Sequence, residues 1–150
     1  MAVNLSAAFH TVRFALPSMR RRDFGRIVNV ASIYGLVATV NRVDYVTTKS
    51  ALIGFTRAIA LETARTNITC NPICPGTIPT PDIEGRLEAE RVKTGMTRAE
   101  AERAFLATCQ PSGRFVAAGG VAALVALLCS ANGADITGSA IPIDGGWSAS

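Results

Sequence analysis

Residues 27–49 read IVNVASIYGLVATVNRVDYVTTK, and this stretch decides how the rest of the chain is read. Ile27-Val28-Asn29-Val30-Ala31 is a short β-branched run of the kind buried in a parallel sheet. Ser32 stands at its C-terminal end, and Gly35 permits the turn that follows. From Val43 the spacing becomes helical, which sets Tyr45 and Lys49 one turn apart on the same face. An ammonium beside a phenol favours the phenolate, and so lowers a tyrosine pKa that normally sits near about 10. A tyrosine tuned in this way exchanges a proton with an alcohol or carbonyl oxygen near neutral pH, and a nearby serine hydroxyl steadies that oxygen. These groups suit a hydride moving on and off a C–O bond, given a hydride carrier. A Tyr-x-x-x-Lys pair taken alone also describes an ordinary helix surface, so the neighbouring segments carry the decision.

Upstream, residues 3–21 carry Val3, Leu5, Ala8, Phe9, Val12, Phe14, Leu16 and Met19, a helical spread with a wide apolar stripe. Pro17 is expected to end or bend this helix near its last turn. Arg20-Arg21-Arg22 is the one dense basic run and reads as a solvated helix end that suits the dipole. The same reasoning excludes nucleic acid as a partner, since no basic face interleaved with aromatics exists.

Downstream, residues 43–65 form the longest helical pattern, closed by Asn67. Ile68 to Cys74 reads as a second strand ending at Pro75-Gly76, with regular pairing expected to stop near Pro72, which has no N–H to donate. Between about 81 and 112 the composition turns charged. A short helix is expected to Gly95, then a second from Thr97, where Glu100 completes a capping box. That insertion is long for a plain loop and reads as a helical lid; a solvated surface hairpin fits the pattern equally. A strongly apolar helix follows from Val116 to Ser130, then a third strand from Ile136 to Ile143, and Asp144-Gly145-Gly146 turns the chain toward Trp147.

This alternation predicts a single α/β domain over 1–150 with about three parallel strands and flanking helices. Hydrophobic residues make up 49% and charged ones 17%, which excludes disorder. No apolar run approaches the roughly 18 residues of a membrane span, and the opening residues are too polar for a secretory signal. A soluble, cytoplasmic protein is expected. The cysteines form no Cys-x-x-Cys pair and have no histidine nearby, so no metal site is expected. Cys70, Cys74 and Cys129 lie in apolar segments and read as buried, reduced thiols. His10 sits within a helical pattern and reads as core or surface.

Taken together, these motifs resemble the classical short-chain dehydrogenase/reductase family along essentially the whole chain. Asn29-Val30-Ala31-Ser32 is similar to the family's strand ending in the catalytic serine. Tyr45-x-x-x-Lys49, thirteen residues beyond Ser32, is similar to its signature. The resemblance implies the C-terminal part of a Rossmann-type doubly wound parallel sheet. It implies that Tyr45 moves the proton, Ser32 stabilises the reacting oxygen, and Lys49 supports Tyr45 and holds the nicotinamide ribose. Asn4, matching the asparagine of the preceding helix, would position a water linked to Lys49. Pro75, Gly76, Ile78 and Thr80 would line the nicotinamide end of NAD, with NADP the alternative. No strand is followed by the family's glycine-rich turn, so the N-terminal nucleotide-binding βαβ units find no counterpart here.

Within the family, Gly35-Leu36-Val37-Ala38, Cys74-Pro75-Gly76 and Asp144-Gly145-Gly146-Trp147 resemble bacterial D-3-hydroxybutyrate dehydrogenases. That group interconverts 3-hydroxybutyrate and acetoacetate. Arg42 falls where it carries a lysine for the substrate carboxylate, and Arg86 on the lid is a second candidate; both also read as surface arginines. Tyr34 and Thr77 depart from the group's histidine and tryptophan, while Trp147 matches its C-terminal tryptophan. Ser32, Tyr34, Arg42, Arg86 and Trp147 are therefore the expected substrate contacts. The resemblance also implies a homo-oligomer pairing through helices 3–21 and 43–65. The competing reading is a fragment without activity that serves as a helix-pairing module, or a dehydrogenase for another small hydroxy acid or secondary alcohol.

Overall fold

Two six- to eight-residue runs rich in Ile, Val and Cys supply the strands on which the rest packs. The computed structural model describes residues 1–150. In chain order the elements are α1 (Ala7–Arg22), β1 (Gly25–Val30), α2 (Val43–Glu62), β2 (Ile68–Pro75), α3 (Pro81–Thr94), α4 (Arg98–Ala107), α5 (Ala118–Cys129) and β3 (Ile141–Ile143). The three strands form one parallel sheet in the order β1-β2-β3.

The period-two alternation of β2 sorts its side chains between two layers. Cys70 and Cys74 face α1 and α2, where they join Val12, Ile27, Leu52, Ile53 and Ala60 in the core. Ile73 faces the other way, beside Ile141, and on that side the helix α5 lies within contact of Ile143 at Gly120. All eight residues of β2 are buried, as expected for a central strand covered on both faces. No helix is long and apolar enough to cross a membrane.

Several boundaries differ from the sequence expectation, each for a local reason. The first helix begins as a wide π-type turn over Ala2–Ser6, and α1 then runs through Pro17 to Arg22, where Asp23 adopts the left-handed conformation. The ring of Pro17 is accommodated within the helix and does not stop it. Regular pairing in β2 continues past Pro72 to Pro75. Cys70 directs its backbone toward Thr137 and Gly138, so Pro72, two residues on, turns its nitrogen to the same side. The third strand starts beyond that point, at Ile141, and no ladder bond is lost.

For the same reason β3 is shorter than 136–143. Gly138 takes a positive φ of 69°, and the Thr137 hydroxyl stands in for a backbone acceptor to the Cys70 N–H. Buried Asn71 pins this stretch, donating to the Ile136 carbonyl at 2.6 Å and accepting from the Ser139 N–H. Cys129 is a further correction: it is exposed, because only Leu128 in α5 is fully buried and its neighbour points outward. The capping box at Thr97 and Glu100 forms as the sequence indicates.

Candidate active site

Three parallel strands deliver their following loops to one end of the sheet, and a cavity of about 430 Å³ opens there. In open α/β sheets ligands gather outside these carboxyl ends. The volume falls within the range of about 300–1,000 Å³ typical of small-molecule sites.

Beyond β1, Ser32 has an extended backbone and caps a single 3₁₀ turn, its hydroxyl oxygen accepting the Tyr34 N–H at 3.2 Å. One lone pair is thereby used, and the hydroxyl proton is left to donate into the cavity. Gly35 ends the turn in tight contact with α2. A Cβ there would come 2.7 Å from Ile53 Cδ1 and 2.9 Å from the Lys49 carbonyl oxygen. The absence of a side chain thus lets the serine turn lie against the helix that carries Tyr45 and Lys49.

Both of these side chains reach the cavity. Lys49 Nζ lies 5.5 Å from the centre of the Tyr45 ring and donates to the Val30 carbonyl at 2.9 Å. Burial holds the Lys49 ammonium below the ordinary lysine value, opposed in part by the electrostatic influence of neighbouring Cys74. Cys74 lies beneath the site; burial pushes its thiol up to about 11, against a hydrogen bond from the Ser32 backbone. Tyr34 stands edge-on to Tyr45 with ring centres 6.2 Å apart, and edge-on to Trp147 at 5.2 Å. This aromatic series makes one wall of the cavity.

Beyond β2, Pro75, Gly76, Thr77, Ile78 and Thr80 line the opposite wall. Gly76 is held by close approach, since a Cβ would stand 2.9 Å from Asp144 Cα and 2.9 Å from Gln110 Oε1. Gln110 is fully buried, accepts the Thr77 N–H at 2.9 Å and donates to the Arg114 carbonyl. Asp144 accepts from the backbone of Gly146 and Ser148 at 3.0 and 2.7 Å. Burial resists its ionisation, but these hydrogen bonds prevail and keep its carboxyl below the ordinary value.

The cavity mouth carries Arg42, at the N-terminal edge of α2, and Arg86 on α3. They differ in one respect. Arg86 forms an ion pair with Asp82 at 3.2 Å, whereas the Arg42 guanidinium has no ion-pair or hydrogen-bond partner. Three cationic side chains, Arg42, Lys49 and Arg86, thus line the cavity against the single carboxylate of Asp82.

Of the residues selected from the sequence, only Asn4 lies outside the cavity lining. It sits half-buried in the π-type turn before α1, with no hydrogen bond from its side chain. Asp82, Ile83, Phe105, Thr108 and Cys109 also line the cavity and were not singled out in the sequence. Phe105 lies in α4 and Cys109 just past its end, and the turn that closes the helix leaves both in the cavity lining. The charged composition around them conceals that placement. Thr80 precedes α3 without a side-chain cap bond, Pro81 being pre-shaped for the first helical position.

The family model described as enoyl-(acyl carrier protein) reductase matches residues 1–148. Among curated proteins, the D-beta-hydroxybutyrate dehydrogenase of Cupriavidus necator is 44% identical over 147 residues, covering 98% of this chain and 57% of its own. The protein of the same name from Rhizobium meliloti is 39% identical over 149 residues, with 99% and 58% covered. A solved actinorhodin polyketide ketoreductase with NADPH superposes with a TM-score of 0.85 at 35% identity, over 97% of this chain and 56% of its own. Levodione reductase gives 0.85 at 33% identity, with 99% and 56% covered. The chain therefore spans just over half the length of these relatives. Family match, sequence identity and structural likeness agree, and the chain belongs to the short-chain dehydrogenase/reductase family, an oxidoreductase by ancestry.

Proposed function

We propose that this site interconverts a small hydroxy acid and its keto acid, with 3-hydroxybutyrate and acetoacetate as the pair and NAD as coenzyme. The observation that carries the reading is the unpaired guanidinium of Arg42 in the same cavity as Ser32, Tyr45 and Lys49. A carboxylate on Arg42, held by two parallel hydrogen bonds, orients a short acid in the cavity. Its hydroxyl then meets Ser32 and Tyr45, while Tyr34 and Trp147 cover the apolar carbon chain.

The residues after β2 fit the nicotinamide end of the coenzyme. Pro75, Gly76, Thr77 and Ile78 share one cavity with the Lys49 amine, which would hold the ribose hydroxyls. No strand is followed by a glycine-rich turn for the pyrophosphate, so the residues present fit only that end. When bound, the nicotinamide supplies the hydride acceptor or donor. In oxidation, Tyr45 takes the alcohol proton. The Ser32 hydroxyl donates to the same oxygen throughout, and the Lys49 ammonium stabilises charge on the phenol oxygen. In this reading Asn4, with its amide free, holds a water linked to Lys49, and helices α3 and α4 close as a lid.

The test is the full chain with D-3-hydroxybutyrate and NAD or NADP, following ultraviolet absorbance of the reduced coenzyme. Trp147 is the only tryptophan, so its fluorescence reports cavity occupancy separately from turnover. Turnover that disappears in Tyr45→Phe supports the reading. Quenching of Trp147 by the acid without turnover would leave a binding site and remove the catalytic claim.

Apolar side chains exposed along α1 and α2 favour a second role. Phe14 is 90% exposed and Leu61 80% exposed, which is costly surface for a lone chain. Copies pair through these two helices in this reading. A Phe14→Glu chain that remains the same size as the parent by light scattering would refute that pairing.

A further inference from the structure

Gln110, just past α4, enters the space between the glycines that follow β2 and β3. It is 1% exposed and does not line the cavity. A Cβ at Gly76 would stand 2.9 Å from its Oε1, and one at Gly145 3.0 Å from its Cγ. Both ends of the amide are used: Oε1 accepts the Thr77 N–H at 2.9 Å, and Nε2 donates to the Arg114 carbonyl. The position therefore calls for an uncharged group that accepts at one atom and donates at the other.

Thr77, which does line the cavity, has each of its polar groups engaged by the segment after α4. Besides its N–H on Gln110, its carbonyl accepts the Val116 N–H at 2.8 Å, and its hydroxyl lies 3.8 Å from Cys109 Sγ. The next backbone donor, the Ile78 N–H, has no acceptor within the chain, and Ile78 also lines the cavity. Gln110 thus fixes the residue beside a free donor without reaching the cavity itself. The other wall, with Arg42 and Tyr45, is carried by α2, and neither hydrogen bond of the Gln110 amide goes to it.

We propose that Gln110 is a positioning residue for the cavity wall at 77–80, acting through the Thr77 amide and setting the affinity for the nicotinamide coenzyme without touching it. The coenzyme in this role rests on the reading given above, whereas the hold on the wall stands without it. A ligand seated on that wall feels the loss of Gln110. A small acid held on Arg42 does not.

Gln110→Met keeps the length of the side chain and removes both donor and acceptor. Quenching of Trp147 in the full 150-residue chain reads the binding of NADH and of D-3-hydroxybutyrate separately. In Gln110→Met the Kd for NADH should rise at least about tenfold, because a buried N–H and a carbonyl lose their partner, and the Kd for the acid should hold. Gln110→Glu is the conservative rescue. Its protonated carboxyl accepts and donates as the amide does, and its ionised form cannot donate. Burial, and the ionised Asp144 across Gly76, favour the protonated form; Cys109 and Arg114 are the other titratable residues beside it. NADH affinity in Gln110→Glu should match the parent's at low pH and fall once the carboxyl ionises. Parent-like NADH affinity in Gln110→Met overturns the proposal, as does equal weakening for both ligands, which a purely structural role would give. So does a Gln110→Glu chain that binds NADH weakly at every pH, and this variant decides alone should Gln110→Met fail to fold. A parent that binds no NADH would defeat the coenzyme reading instead, and hydrogen exchange then decides the hold on the wall. The Thr77 amide should exchange at least about tenfold faster in Gln110→Met, or in Gln110→Glu once ionised, than in the parent at the same pH, with the Ala31 amide of the β1–β2 ladder unchanged. Equal exchange at Thr77 overturns it.

Discussion

Gly35 stands against the backbone of Lys49, with the position of its absent Cβ 2.9 Å from the Lys49 carbonyl oxygen. The contact fixes the serine turn to the helix bearing the tyrosine, so spacing along the chain becomes spacing across a site. In Gly35→Ala the added methyl also meets Ile53 Cδ1, which can yield, but the helix carbonyl cannot. Overpacking of this kind costs about 1–3 kcal/mol. The melting temperature should fall by several degrees, and Trp147 should respond less to a cavity ligand. An unchanged melting curve would mean that the turn is slack.

Arg42 and Arg86 separate by their partners. Arg42→Leu removes the unpaired guanidinium, and loss of a charged hydrogen-bonded contact of about 1.5–3 kcal/mol should raise the KM for a hydroxy acid about ten- to hundredfold. Arg86→Leu breaks an exposed pair with Asp82, worth at most about 1 kcal/mol, and should change KM little. Steady-state kinetics on the two variants decide, and the reverse order would move the carboxylate anchor to the lid.

The four thiols should fall into three classes. Cys129 is exposed and Cys109 half-buried in the cavity wall, whereas Cys70 and Cys74 are fully buried with pKa values pushed up to about 12 and about 11. A bulky disulfide reagent at neutral pH should label Cys129 quickly, Cys109 more slowly, and the other two only in denaturant. A cavity ligand should protect Cys109 and leave Cys129 unchanged. Mass spectrometry of the labelled peptides reads all four, and early labelling of Cys74 would show that the sheet opens beneath the site.

Alkaline pH should affect activity before it affects the fold through Lys49. Its folded-state pKa lies below 10.5 because of burial. Between the folded value and 10.5, the unfolded chain binds more protons than the folded one, so this group's contribution to stability rises with pH across that window. The ammonium needed beside Tyr45 is meanwhile lost. Turnover should therefore decline at a pH below 10.5, with circular dichroism unchanged through the same decline. Retained turnover above that pH would exclude a role for the Lys49 charge.

Much of this arrangement was legible in the residues themselves. The β-branched run before Ser32, the four-residue step from Tyr45 to Lys49 and the capping box at Thr97 are local patterns, and local patterns survive folding when their neighbours agree. What the linear pattern misjudged was decided between segments. Pro72 stays in a central strand because its missing donor faces the gap before β3, and the Ile136–Ala140 segment stays out of the sheet because Gly138 and Asn71 hold it elsewhere. Cys129 is exposed because an apolar helix buries only the face its neighbours cover.

By itself, the order of residues determined an α/β chain with a tyrosine and a lysine on one helical turn and a serine at the end of a strand. Only the tertiary structure decided that Arg42 stands unpaired while Arg86 is engaged, and that Gln110 braces Gly76 from 34 residues away. The physical reason is that periodicity reports which face of an element is apolar. Which charge finds a partner and which glycine is crowded depend on residues distant in sequence, and no local spacing encodes them.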